Sequence, residues 1–291
     1  IEVAADLLLS LPKKSSVSPY LDLQATFENG KAASAERYYP TGIMKPKLVD
    51  WLDRSIVGGY VSQGGVVFNG RVKDFPFRDK QGQFKAEFDA RDVTLDNREQ
   101  WPGLSGIDLA AVFTSQGMEL LIQRGKLFGL RLSPSRARIG DFKAPQLQLQ
   151  IDANGGLADV ARFLTESPVA PGGRAFVQRS GIEGTAHTRF EAMIPLNPRM
   201  QERSPLRYQG ELNIARGQLH LLEGQLDMSD ISGQVAFDQD GISSEGLRSK
   251  VLGEPVELLV DSQKLAQGNK QVSILANGQL DAGRLTEHFA M

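Results

Sequence analysis

Hydrophobic and polar residues alternate with period two over most of the chain. Residues 82–90 read Gly-Gln-Phe-Lys-Ala-Glu-Phe-Asp-Ala, which puts Phe84, Ala86, Phe88 and Ala90 on one side and Gln83, Lys85, Glu87 and Asp89 on the other. That is the pattern of a half-buried β-strand. It recurs at Leu147, Leu149 and Ile151, opposed by Gln146, Gln148 and Gln150, and again at Phe190, Ala192 and Ile194. Further runs carry Leu212 and Ile214, Val256, Leu258 and Val260, and Val272 and Ile274. Others carry Val66 and Phe68, Leu109 and Phe113, Leu120 and Ile122, and Leu130 and Leu132. The dipeptides Asn69-Gly70, Gln116-Gly117, Arg124-Gly125, Arg216-Gly217, Asp240-Gly241 and Asn277-Gly278 read as turns between runs. Roughly seventeen strand candidates at meander spacing predict a mainly β, all-antiparallel architecture.

Helical patterns are few. Over residues 44–57, Leu48, Trp51, Leu52 and Ile56 fall at helical spacing, Pro46 sits in the first turn, and Gly58-Gly59 follows as a stop. This helix is a candidate gate over the sheet, or a plain cap on strand ends. A shorter helix is expected over 156–165, with Leu157, Val160, Ala161 and Leu164 as its stripe. Pro168 to Gly173 is the best linker, dividing the chain into 1–167 and 174–291, the second part continuing the same repeated sheet. A weak internal repeat supports an array: Leu104-Ser105-Gly106 opens a span ending in Ala153-Asn154-Gly155-Gly156-Leu157, and Ile231-Ser232-Gly233 opens another ending in Ala276-Asn277-Gly278-Gln279-Leu280.

So many one-faced strands pose a physical problem. Leaving a Leu or Phe exposed forfeits roughly 1.5–3 kcal/mol of burial, and two short helices cannot cover the whole face. Either the sheet closes on itself as a sandwich or barrel, or it curls incompletely and leaves a long apolar trough that a ligand must fill. Periodicity by itself favours the closed core. A trough of Ala, Leu, Ile, Val and Phe with no convergent polar groups would suit acyl chains.

Composition narrows the chemistry. Lys and Arg total 33 against 35 Asp and Glu, a net charge of −2, without the basic stripe of a nucleic-acid binder. Arg131, Arg136 and Arg138 alternate with Leu132 and Ala137, as on a solvated strand face. There is no cysteine, hence no disulfide, thiolate nucleophile or cysteine zinc site. No stretch approaches the ~18 apolar residues of a membrane span. His187, His220 and His288 lack ligand spacing, so neither metal nor cofactor is expected. Phosphate loops, dinucleotide fingerprints and nucleophile elbows are absent. Asp89, Asp92 and Asp96 could be imagined as glycosidase carboxylates, but each has a polar-face or turn explanation. Trp101 reads as a packing anchor. The chain reads as a segment of a longer protein and not as an enzyme.

Tyr38-Tyr39-Pro40, Met44, Leu48-Val49-Asp50-Trp51-Leu52, Gly64-Gly65-Val66-Val67-Phe68-Asn69-Gly70 and Asp74-Phe75-Pro76-Phe77 together resemble the AsmA-like group of Gram-negative envelope proteins. Gly82-Gln83-Phe84 and Trp101-Pro102-Gly103-Leu104 are similar too, so the specific likeness covers about residues 38–157. The resemblance implies a long periplasmic protein, anchored in the inner membrane by a helix absent here and associated with phospholipid movement to the outer membrane. It implies a curved antiparallel sheet with an open apolar groove, a β-taco, and so reverses the preference for a closed core. On that basis the groove would be lined by Val66, Phe68, Phe84, Phe88, Leu109, Phe113, Leu120, Ile122, Leu130, Leu132, Leu147, Leu149, Ile151, Phe190, Ile194, Leu212, Ile214, Leu258, Val260, Val272 and Ile274. Phospholipid acyl chains would be the ligand, and other domains of the same chain, with inner- and outer-membrane proteins, the partners. The competing function is a closed β-sandwich that spaces or docks envelope proteins without transport.

Overall fold

The computed structural model describes residues 1–13, 17–34, 46–96, 101–169, 174–197, 204–221, 226–264 and 270–279. Period-two segments become strands that pair with their neighbours in sequence. The first half holds β1 (Glu2–Ser10), β2 (Tyr20–Lys31), α1 (Pro46–Ser55), β3 (Ile56–Arg71), β4 (Gln83–Leu95), β5 (Leu104–Thr114), β6 (Met118–Leu127), β7 (Leu130–Leu132), β8 (Ser135–Ile139) and β9 (Gln146–Gly156). There follow α2 (Leu157–Glu166), α3 (Arg174–Arg179), β10 (Gly181–Pro195), β11 (Arg207–Leu221), β12 (Leu226–Asp238), β13 (Ile242–Ser244), β14 (Leu247–Val251), β15 (Glu254–Lys264) and β16 (Lys270–Gly278).

All strands join one 16-stranded sheet whose spatial order follows chain order from β1 to β16. Every recorded pairing is antiparallel, as meander connections require. Two lanes are each filled by a broken strand: β7 and β8 both lie between β6 and β9, while β13 and β14 both pair with β12. The broken lane is third from Leu104 but second from Ile231, so the two spans of the sequence repeat match in extent and not in element order. The sheet continues across the expected linker, because β9 and β10 pair from Gly156↔Thr185 to Gln146↔Pro195.

The helix expected over 44–57 is shorter. Ile56 is not in it but is the first residue of β3, paired with Leu95. Nor do Gly58 and Gly59 stop the helix: both lie inside β3, at a bulge where Gly59 has φ +105° and an added Cβ would stand 2.6 Å from the Val93 Cα. The spacing of Ile56 fitted a helix and a strand equally, and cross-strand pairing decided it. Residues 44 and 45, and the side chains of Leu48 and Trp51, fall outside the described residues.

Gln116-Gly117 and Asp240-Gly241 are turns, with Thr114 N–H donating to the Gly117 carbonyl and Asp238 N–H to that of Gly241. The other four expected turns lie within strands. Their glycines make clearance instead: a Cβ on Gly70 would meet the Phe77 ring at 2.6 Å, and one on Gly217 would lie 3.3 Å from Leu157 of α2.

Bulges interrupt the β4–β5 and β5–β6 ladders between Ala90 and Val93 and around Asp108. There Asp108, 5% exposed, accepts from Arg124 Nε at 2.6 Å, from the Asp92 backbone N–H at 3.0 Å and from Arg91 at 3.4 Å. The Arg124 hydrogen bond, then that from Asp92, holds its carboxyl below the ordinary value of 3.8. A depressed pKa contributes stability that is complete above the unfolded-state value and is lost as pH falls through the folded one. Chemical denaturation should therefore show stability falling once pH drops below about 3.8, and Asp108→Ala should remove part of that fall. The same substitution should cost about 1–3 kcal/mol at neutral pH by leaving the Asp92 N–H unpaired.

Candidate functional site

Residues directly opposite in an antiparallel pair share a face, so the register traces rungs of side chains across the sheet. One rung runs Ala5, Ala25, Val66, Ala86, Phe113, Met118, Ile139, Leu147 and Ile194. The next runs Val3, Phe27, Gly64, Phe88, Ala111, Leu120, Ala137, Leu149, Ala192 and Tyr208. Outside these lie Leu7, Leu23, Phe68 and Phe84. On the other flank come Val61, Ala90, Leu109 and Ile122, aligned with Ile151, Phe190, Gly210 and Phe237. Beyond that, Leu132, Ala153, Thr188, Leu212 and Val235 form a rung, followed by Leu130 and Ile214. Leu258 then pairs with Leu247 and Ala276, and Val260 with Ile274, with Val272 on the same side by alternation.

Every expected groove residue therefore falls on one face of the sheet. Lys85, Glu87, Gln148 and Gln150 take the other. The strongest signal missed is at the start of the chain, where Leu21, Leu23, Ala25 and Phe27 alternate with polar residues and, with Val3, Ala5, Leu7 and Leu9, extend the rungs into β2 and β1.

The face is not uniform. From β2 to β6 the side chains of Val66, Phe88, Leu109, Phe113 and Leu120 are only half-buried, around a small core of Ala90, Val93, Ile107 and Ile122. One border is closed by aromatic rings, with Phe75 against Phe84 at 5.5 Å and Phe77 against Phe68 at 5.1 Å. Where α2 lies on the face, at the middle of β9–β12, Ala153, Phe190, Leu212 and Val235 are deeply buried. Val160 joins the cluster of Leu130, Leu132, Ala153, Phe190, Leu212 and Val235, and Phe163 meets the Phe190 ring edge-on at 5.5 Å and Trp101 at 6.4 Å. Trp101 is thus a packing anchor. The helix placed over the apolar face is α2; nothing described sets Leu52 or Ile56 above it.

The opposite face is polar and pairs its charges. Arg136 meets Glu119, Lys250 meets Asp230 at 2.9 Å, and His220 meets Asp227 at 2.7 Å. His187 Nε2 lies 2.9 Å from Asp152. Beside it is an open depression of about 880 Å³ lined by Arg131, Asn154, His187, Asn213, Gln234 and Arg248 among others. Asp89 takes the Gln63 amide, and Asp92 sits at a bulge with φ +50°. Among the described residues, no group of three or more His, Asp or Glu could hold a metal ion.

Together these define a mainly β protein built on one long antiparallel sheet with an apolar and a polar face. The chain belongs to the family described as YhdP protein, which it matches over residues 1–291. Over 267 residues it is 26% identical to the intermembrane phospholipid transporter YhdP of Escherichia coli (strain K12), covering 89% of this chain and 20% of that relative. The chain thus spans about a fifth of the curated relative's length. No solved structure matches. The resemblance read from residues 38–157 extends over the whole chain.

Burial sorts the face into two kinds of site. Leu130 and Leu258, 3% and 2% exposed, should not accept Asp: an ionised carboxylate in a dry core costs several kcal/mol, enough to unfold a marginal domain. Val66→Asp and Val260→Asp, at half-exposed positions, should keep the far-ultraviolet circular dichroism of the parent. If all four variants melt alike, the distinction between buried and half-exposed positions of the face fails.

Proposed function

We propose that the apolar face is a path for phospholipid acyl chains, in a segment of a longer periplasmic protein that bridges inner and outer membranes. The observation that carries this reading is the continuity of the rungs, which cross lane after lane without a charged side chain. Adjacent strands are about 4.8 Å apart, and a methylene moved from water into apolar contact gains about 0.8 kcal/mol. A single polar lane would strand several methylenes and raise a barrier of about 3 kcal/mol. Continuity therefore matters for movement as well as for binding.

Three facts favour an open face over a closed core. The edge strands β1 and β16 pair with β2 and β15 and not with each other. Apolar-face residues at the edges stay exposed, Leu7 at 64% and Val272 at 50%. A relative in the same family is named a phospholipid transporter. No described helix is long and apolar enough to cross a membrane; in this reading the membrane anchor and the inner- and outer-membrane partners belong to other parts of the longer protein. The reaction is transfer without bond-making, so the chain is read as a carrier and not an enzyme.

Native mass spectrometry of the purified chain tests the reading. Phospholipid should co-purify with the parent, and the double substitution Val66→Asp, Phe113→Asp should reduce its occupancy about tenfold, the equivalent of about 1.4 kcal/mol, while the fold persists. Full occupancy in the folded double variant would exclude this face as the path. Parent protein free of lipid would favour a structural module of the envelope.

A further inference from the structure

The stretch of apolar face beneath α2 differs from the rest in a way that points to a ligand. Helix α2 lies over β10 and β11: Leu157 lies at Gly217 of β11, whose β10 partner is Gly184, and Phe163 lies on Phe190 of β10. Thr188 sits between these two points, on the rung Leu132, Ala153, Thr188, Leu212. It is 7% exposed, and its Oγ1 has no hydrogen-bond partner. A buried hydroxyl left unpaired costs the desolvation of that group, so α2 is an imperfect cover for this rung. The helix has ten residues and no side-chain cap at Gly156; at that length it is marginal alone and depends on its seat. It meets the β6–β7 turn where Asp159 stands against Gly129 and the Arg162 guanidinium lies 3.9 Å over the Phe128 ring.

We propose that the rung beneath α2 is an acyl-chain site, that α2 occupies it as a displaceable stand-in, and that the Thr188 hydroxyl donates to an ester carbonyl of the lipid that replaces the helix. This rests on the lipid-path reading above. An acyl chain supplies the apolar contact that Val160 and Phe163 now make, and its ester supplies the acceptor that α2 lacks. The half-buried lanes from β2 to β6 then hold lipid freely, whereas passage through β9–β11 requires α2 to move.

The chain has no cysteine, so a pair introduced across the seam forms a single disulfide. A Cβ at Gly129 would stand 3.0 Å from Asp159 Cγ, and Gly129 is not among the positive-φ positions, so Gly129→Cys with Asp159→Cys brings the Sγ that replaces Cγ within reach of the new side chain for a disulfide. The probe is phosphatidylethanolamine carrying a diazirine in one acyl chain, offered in vesicles, with adducts mapped by tandem mass spectrometry. Under reductant, adducts should form both at Ala153 and Leu212 and at the uncovered Val66 and Phe113. After oxidation, those at Ala153 and Leu212 should fall at least tenfold while those at Val66 and Phe113 persist. Equal labelling beneath α2 in both states overturns the proposal. Labelling nowhere in either state overturns the lipid path itself, and with it this site. Thr188→Val gives an independent reading: removing the unpaired hydroxyl should slow hydrogen exchange across residues 157–166 and lower labelling at Leu212. No change in either overturns the stand-in.

Discussion

In an antiparallel sheet, side chains directly opposite one another must lie on the same face. A strand's apolar set therefore stays on the apolar face only if its register with both neighbours is correct, since a slip by one residue sends every side chain to the other side. The sheet here applies that constraint across fourteen lanes in a row. Because spatial order follows chain order, most registers are set locally by a hairpin or short connection, the exceptions including the β2–β3 and β9–β10 junctions that carry α1 and α2–α3. The face can thus grow without long-range pairing. No later strand pairs with an earlier one out of chain order.

Bulges are where this arrangement is most at risk, and the structure treats them consistently. An extra residue in one strand would shift the alternation, so bulged lanes carry glycine or a pinned charge. Gly59 occupies a conformation with no space for a side chain against Val93. Asp108 gathers Arg124, Arg91 and the Asp92 N–H on the polar face, while Val93 and Ile107 remain paired on the apolar face directly behind them. The charge cluster thus fixes the register that keeps the apolar rung unbroken. Its contribution to the face is geometric and does not require contact with any ligand.

The strands and their shared face were legible because alternation is a local property: Phe84 to Ala90 or Leu147 to Ile151 admit no other reading. The glycines were not, because Asn69-Gly70 and Arg216-Gly217 look identical to turns until Phe77 and Leu157 are seen crossing above them. Ile56 was assigned to a helix because four residues at helical spacing can include one that tertiary pairing claims for a strand. The stripe of α2 was evident in the sequence. Its seat on Phe190 and Leu212 was not, because a stripe says that a face is buried and never against what.

A surface that moves lipid must satisfy two opposed demands, binding chains well enough to exclude water and holding none of them in place. Rungs of equivalent apolar residues meet both. Each step along the rung exchanges one set of contacts for a similar set, so the total apolar area removed from water hardly changes, and neither does the energy proportional to it. Deep pockets would oppose this, and between β2 and β6 the side chains of Val66, Phe88, Leu109, Phe113 and Leu120 are only half-buried. The stretch under α2 is different in kind. There the side chains are almost wholly buried and include one unpaired hydroxyl, so the energy along the path has a distinct feature at one place. On the lipid path proposed above, alternation would supply the uniform slide and the helix laid across it the single checkpoint.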